Sequence, residues 1–349
     1  MAFNQVIFLV GLPIISGIAA VGLIMVLTPL AALVGAIDEP DDRKHHAGPT
    51  PMVGGFAIYL VLLAVILLID PPEKITWIMA ASTLLLFVGF LDDAFDLGVK
   101  VRFLVQIIAV GIMVFGGNLS IQTLGFTFLG MNELGLWGLA LTCLAVVGLT
   151  NAFNMVDGID GLASGHLLIG MLSLIAIQLV FSGEVYQLTW LSVLLATVFA
   201  FWLVNMSLTP LRKVFLGDAG SLLLGFLMSW LLIYYSQDPI SLVHPVAALW
   251  CVTLPVYDTV IVIMKRLRKS MSPFQPDRNH LHHLLIDAGV PAKLALFWIL
   301  AASVLLNVTG IVITYLVSPI VGLIAFFIVM LIFAFFLLQG REKPTGKYC

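Results

Sequence analysis

The chain of 349 residues is 61% hydrophobic and only 10% charged, with a formal net charge of −3. Charged residues make up about a quarter of an ordinary soluble domain, so that class is excluded, and no nucleic-acid partner is expected. Cys143 and Cys251 fall inside apolar runs and Cys349 ends the chain, which gives neither a disulfide framework nor metal-type spacing.

Eleven apolar stretches are long enough, or nearly so, to cross a hydrocarbon core that needs about 20 helical residues. They run over 4–34, 52–69, 75–91, 102–118, 135–153, 162–182, 188–206, 219–236, 243–264, 293–316 and 319–339. The expected fold is an all-α polytopic membrane protein with about 11 transmembrane helices, a single domain over 1–349. The first stretch has no basic flank before it and no small-residue cleavage signal after it, so a retained helix is expected, bent at Pro13 and Pro29. After the fourth, Ile121, Thr123, Phe126 and Phe128 around Gly125 predict a small β-hairpin at about 119–130.

Alternate loops differ sharply in charge. One side carries 15 of the 16 Lys and Arg residues, leaving only Lys74 on the other. The positive-inside rule makes that side cytoplasmic, with a periplasmic N-terminus, a cytoplasmic C-terminus and the hairpin outside. Its loops are expected at 35–51, 92–101, 154–161, 207–218 and 265–292. The same side holds 14 of the 19 acids, all but Asp70, Glu73, Glu133, Glu184 and Asp238.

Five segments there bear chemistry. Asp38 to Gly55 contains Arg43, Lys44, His45 and His46 among glycine and proline; it reads as an anion-holding turn or as a basic loop that sets topology. Gly89-Phe90-Leu91-Asp92-Asp93 ends an apolar run in two adjacent carboxylates, followed by Asp96 and Lys100. Such a pair caps a span in water, or it suits Mg²⁺ held jointly with phosphate oxygens, because neighbouring carboxylates repel unless a cation or proton intervenes. Asn154, Asp157 and Asp160 follow in Asn151 to Gly161, on one helix face or lining a tight turn. In Phe215-Leu216-Gly217-Asp218-Ala219-Gly220-Ser221, Asp218 is placed either to cap a helix or to bind a metal accompanying a phosphate at that helix end.

The fifth segment joins the basic run Lys265 to Lys269, with Arg266, to Asp277-Arg278-Asn279-His280-Leu281-His282-His283. No cysteine or His-Glu-x-x-His accompanies the histidines, so a diphosphate or sugar pocket is the better reading than zinc. Asp258 lies inside the ninth stretch, where a bare carboxylate is costly and a functional or paired role is favoured. Carboxylates for a divalent metal and cations for phosphate, gathered on one membrane face, point to phosphoryl transfer between a soluble nucleotide and a lipid. The rival class is an ion-coupled transporter, but its carboxylates tend to lie near the bilayer midplane on broken helices.

Taken in order, Arg43 to Gly55, Gly89 to Asp93, Asn151 to Ala163, Phe215 to Ser221 and Asp277 to His283 resemble the polyprenyl-phosphate N-acetylhexosamine-1-phosphate transferase family. The resemblance implies ten or eleven helices with a cytoplasmic active site in the bacterial inner membrane. Ser272-Pro273-Phe274 and the run ending in His280-Leu281-His282-His283 suggest the branch that moves GlcNAc-1-phosphate from UDP-GlcNAc to undecaprenyl phosphate and releases UMP. That reaction is the first lipid-linked step of O-antigen or enterobacterial-common-antigen type polysaccharide synthesis. The alternative branch transfers phospho-MurNAc-pentapeptide and typically has three consecutive histidines, which Leu281 interrupts here.

Carried over by motif, Asp92 and Asp93 would hold metal or activate the lipid phosphate, and Asp218 would be the firmest metal ligand. Asp157 and Asp160 with Asn154 would line the site, while Arg266, His280, His282 and His283 would grip the donor. Lys44, His46 and Lys100 are further candidates for phosphate contact. The implied cofactor is Mg²⁺, with Mn²⁺ as substitute. The implied partners are UDP-GlcNAc, undecaprenyl phosphate, the lipid bilayer and, in a homodimer, a second copy of the chain.

Overall fold

A computed structural model describes residues 7–39, 48–69, 73–127, 130, 132–182, 188–237, 243–273 and 278–339. Lys44 and His46, with Asp277 and Phe274, lie outside the described residues. A π-helical turn, Ile7–Gly11, leads into α1 (Leu12–Leu30). Pro13 stands in the first turn, where no intrahelical donor is needed, and after Pro29 the chain tightens into a 3-10 turn at Ala31–Val34. Two short strands, β1 (Ile37–Asp38) and β2 (Thr50–Pro51), pair antiparallel in register Ile37 with Pro51 and Asp38 with Thr50. Helices α2 (Gly54–Leu68), α3 (Glu73–Phe95), α4 (Val99–Gly111), α5 (Leu136–Val156), α6 (Leu162–Ile177), α7 (Thr189–Asn205) and α8 (Gly217–Gln237) follow. The chain ends in α9 (Pro245–Trp250), α10 (Thr253–Arg268), α11 (Leu281–Asp287), α12 (Ala292–Leu316) and α13 (Pro319–Gln339).

Eight helical segments of the described residues are long and apolar enough to span a bilayer, and α2 and α7 are shorter apolar helices. The protein is therefore a multi-pass membrane protein. Helix α8 is the axis of the bundle, with 89% of its most apolar window buried, against 17% for α13 at the periphery. It packs on α2, α3, α5, α6 and α9. Small residues make this close: an added Cβ at Gly55 would stand 2.4 Å from Gly220 Cα, and one at Gly89 would stand 2.4 Å from Ala219 Cα. Helix faces without side chains let backbones approach, the recurring device of packing in lipid.

The ninth apolar stretch is broken between α9 and α10. Pro255 has no N–H to give Cys251, four residues earlier, and the freed Cys251 carbonyl accepts instead from Asn307 Nδ2 at 3.1 Å.

Two expectations are corrected. The hairpin at 119–130 does not form: residues 119–127 contain no strand, and Phe128 is outside the described residues. Side chains of distant helices take up the backbone donors that a partner strand would need. Ile121 N donates to Thr142 Oγ1 at 2.8 Å, while Gln122 N and Thr123 N both donate to Gln237 Oε1. The other correction concerns loop boundaries. Asp92 and Asp93 lie in the last turn of α3, Asn154 in the last turn of α5, Arg266 in the last turn of α10, and Asp218 in the first turn of α8. Polar residues continue these helices beyond the apolar run, so hydropathy ends before the helix does.

Candidate active site

The ends of α3, α5 and α8 meet at the pole of the bundle that carries the acids. Gly217, at φ +73°, turns the chain into α8, so the first backbone donors of α8 face α3. Asp93 caps them: its Oδ1 accepts from Asp218 N at 2.9 Å and its Oδ2 from Ala219 N at 3.2 Å. A carboxylate at a helix N-terminus also complements the helix dipole. Asp218, expected as either cap or metal ligand, is thereby relieved of the capping role. Its Oδ1 accepts from Asn154 Nδ2 at 2.8 Å, and the same amide reaches Ser221 Oγ at 2.9 Å.

Asp92 serves a different neighbour. Its Oδ2 pairs with Arg102 Nη1 at 2.7 Å and its Oδ1 accepts from Leu97 N at 2.8 Å, closing the turn between α3 and α4. Adjacent residues on a helix point about 100° apart, so Asp92 and Asp93 address different partners. Since the Asp92 side chain is only 2% exposed, Arg102→Met would strand a buried charge. We expect a loss of about 3 kcal/mol, visible as a lower midpoint of thermal unfolding in detergent; an unchanged midpoint would refute the pairing.

Asp157 follows the end of α5. The residue is exposed, and crowding by the surrounding protein, with the negative charges of Asp218, Asp160 and Asp93, pushes its carboxyl above the usual carboxylate range. Either cause acts in the same direction. Asp160 is exposed and forms a 2.6 Å ion pair with Lys213, whose ammonium also lies 4.8 Å from the centre of the Phe215 ring. Asn205, buried on α7, fastens this turn by accepting from Gly161 N at 2.7 Å and donating to Val214 O at 2.9 Å.

A cavity of about 780 Å³ lies alongside. One end is apolar, lined by Ile107, Ala140, Cys143, Leu144 and Val147 of α4 and α5; the other presents Arg102, Asn154, Arg266, His280, His282 and His283. Arg266 is buried in the last turn of α10 and donates to Pro273 O. His280 Nδ1 stands 2.7 Å from Asp258 Oδ2. Burial, with His283 alongside, pushes His282 down to about 3, so its ring is neutral, and burial followed by Arg278 lowers His283. Lys100 is exposed in the first turn of α4 and does not line the cavity, whereas Arg102 does.

Of the candidate residues, the structure brings Asp92, Asp93, Asp218, Asn154 and Asp157 together at one helix junction, and Arg266 and the three histidines into the adjoining cavity. Asp160 is tied outward by Lys213. Sequence reasoning left out Arg102, Ser221 and Asn205. Each is a single polar residue in or next to an apolar run, and its partners lie 9 to 67 residues away.

Gly158 sets the wall between the carboxylates and the histidines. An added Cβ would stand 2.1 Å from His282 Nε2, a buried nitrogen without a hydrogen-bond partner among the described residues. Gly158→Ala is expected to displace the His282 ring, lower turnover and cost about 1–3 kcal/mol through overpacking. Turnover equal to wild type would show that the ring can move without consequence.

Residues 75–236, from α3 to α8, match the profile of glycosyl transferase family 4. A relative in Escherichia coli O157:H7, named undecaprenyl-phosphate alpha-N-acetylglucosaminyl 1-phosphate transferase, is 39% identical over 317 residues, covering 88% of this chain and 84% of its own. The chain belongs to glycosyl transferase family 4. The protein of the same name from Escherichia coli K12 is 40% identical over 82% of this chain and 78% of its own. A third relative, from Bacillus subtilis strain 168, is named probable undecaprenyl-phosphate N-acetylglucosaminyl 1-phosphate transferase and is 34% identical over 83% of this chain and 81% of its own. The residues matching the family 4 profile include Asp92, Asp93, Asn154, Asp157 and Asp218. The cavity histidines and Arg266 lie beyond it.

Proposed function

We propose that this chain transfers GlcNAc-1-phosphate from UDP-GlcNAc to undecaprenyl phosphate at the cytoplasmic face of the bacterial inner membrane, releasing UMP, as the first lipid-linked step of a surface polysaccharide. The names of its family 4 relatives support this reading. The observation that carries it is the cavity that is apolar at one end and cationic at the other, beside a carboxylate cluster. A long isoprenoid tail fits the apolar walls, and its phosphate then reaches Arg102, Arg266 and the histidines.

Mg²⁺ suits the donor set. Among the described residues no three His, Cys, Asp or Glu side chains are arranged as a ready-made metal cage. Mg²⁺ seldom uses one, since it takes one or two protein carboxylates and completes its shell with phosphate oxygens and water. Asp218 and Asp157 are mutually close carboxylates without an ion pair among the described residues, and they would hold it. When bound, the ion supplies charge neutralisation to the donor diphosphate.

An oxygen of undecaprenyl phosphate attacks the β-phosphorus of UDP-GlcNAc. A new P–O bond forms, the bond from that phosphorus to the bridging oxygen breaks, and UMP leaves with the electron pair. A lipid phosphate with a second pKa near 6 is already largely dianionic at neutral pH, so the attacking oxygen needs no strong base. The chain contributes position and countercharge: Arg102 and Arg266 hold phosphate oxygens, while Asn154 fixes Asp218. The alternative is a double displacement in which Asp92 or Asp157 takes the phosphoryl group covalently; Asp92 is poorly placed for it because both of its oxygens are already bonded.

Purified protein in detergent, given labelled UDP-GlcNAc, undecaprenyl phosphate and Mg²⁺, should yield label in the lipid extract, with chelator abolishing and Mg²⁺ or Mn²⁺ restoring it. No labelled lipid from any UDP-N-acetylhexosamine would overturn the proposal.

A further inference from the structure

Asp258 lies eight residues before Arg266 on α10, a carboxylate 3% exposed and outside the cluster described above. A buried carboxylate persists only when its oxygens are satisfied. Here both are, and both partners come from the entry to α11: Oδ2 meets His280 Nδ1 at 2.7 Å and Oδ1 accepts from Leu281 N at 2.8 Å. The His280 ring is itself buried and stacks on His282, with centroids 5.9 Å apart and planes 9° apart.

A carboxylate is an acceptor only, so the Asp258 contact requires the proton of His280 on Nδ1. That leaves Nε2 as the ring nitrogen free to address the cavity that His280 lines. We propose that Asp258 is a positioning residue for the transfer reaction, fixing the orientation and Nδ1-protonated form of His280 so that Nε2, the acceptor nitrogen of that form, meets a hydroxyl or amide N–H donor of the nucleotide-sugar. The proposal rests on the transferase reading for its substrate, but the geometry of the pair does not.

Asp258 is more than a helix cap because its two oxygens do two jobs. Asparagine has one acceptor oxygen, and its amide group would face either Leu281 N–H, donor against donor, or His280 Nδ1. The second arrangement makes Nδ1 an acceptor and moves the proton to Nε2. Asp258→Asn therefore retains shape and loses the imposed tautomer.

The test uses full-length protein labelled with ¹⁵N-histidine, with His280 assigned by difference against His280→Asn. Wild type should show Nδ1 of His280 protonated, and Asp258→Asn should shift that signal toward the Nε2–H form. In the lipid-product assay, kcat/KM for UDP-GlcNAc should fall about 10²-fold, and the double variant Asp258→Asn/His280→Asn should be no worse than His280→Asn alone. Losses that multiply would make Asp258 merely structural and overturn the proposal, as would a wild-type His280 unprotonated at Nδ1, a result that stands even if Asp258→Asn fails to fold. Absence of lipid product from wild type would refute the transferase reading separately, with the ¹⁵N signals still reporting on the pair.

Discussion

Asp218→Asn is expected to lower turnover on the order of 10³-fold while leaving the bundle as stable as before or more so. The two halves of that expectation come from one geometry. Asparagine is the same shape as aspartate and can turn its carbonyl oxygen toward Asn154 Nδ2, preserving the 2.8 Å hydrogen bond. The Asp218 backbone N–H that bonds Asp93 is unaffected. What disappears is one negative charge in a junction shared with Asp92, Asp93 and Asp157, so repulsion within the empty protein falls. The site's hold on a divalent cation falls with it, because the charge that repels in its absence is the charge that attracts in its presence. Turnover and thermal midpoint measured on the same preparation test both signs. Full turnover in Asp218→Asn would remove this residue from the metal site. Asp160→Asn is the internal control: its exposed pair with Lys213 contributes about 0–1 kcal/mol, and a small effect on both readings is expected.

The spans could be read from sequence because about 20 apolar residues in a row have few alternatives to a membrane helix. Even the break before Pro255 was hidden inside such a run, since it depends on Asn307 from another helix to satisfy the freed carbonyl. The expected hairpin failed for a related reason. Its alternating residues fit a strand, but the backbone donors of Gln122 and Thr123 are met by Gln237, more than 100 residues later. At the site, residue types were legible and their division of labour was not. Asp92 and Asp93 read from sequence as one wall of a metal site, and both do adjoin Asp218, but their separate second partners are not written in the local sequence. Once α3 runs to Phe95, helical geometry sends one to Arg102 and the other to the start of α8. The cost of burying Asp258 favours a functional or paired role, yet nothing local points to His280, 22 positions along the chain.

Gly89→Ala is expected to reduce both stability and turnover. The added Cβ would stand 2.4 Å from Ala219 Cα, 2.6 Å from Ala219 N and 2.9 Å from the Asp218 carbonyl carbon. All three are backbone atoms of α8, so no side chain can rotate aside and α3 must move away from α8. Overpacking of this kind costs about 1–3 kcal/mol. The displacement also reaches the chemistry: Asp93 is one turn beyond Gly89, and its hydrogen bonds to Asp218 N and Ala219 N bridge the same two helices. Lengthening them uncaps α8 and moves Asp218 relative to Asn154. Gly22→Ala in α1 separates this effect from the general consequence of adding a methyl to a helix, because its Cβ would meet nothing within 4 Å. That control should be neutral or stabilising by up to about 1 kcal/mol, the helix-propensity difference. If Gly89→Ala matched Gly22→Ala in thermal midpoint and in lipid product formed, the close approach of α3 to α8 would not be what holds Asp93 and Asp218 in register.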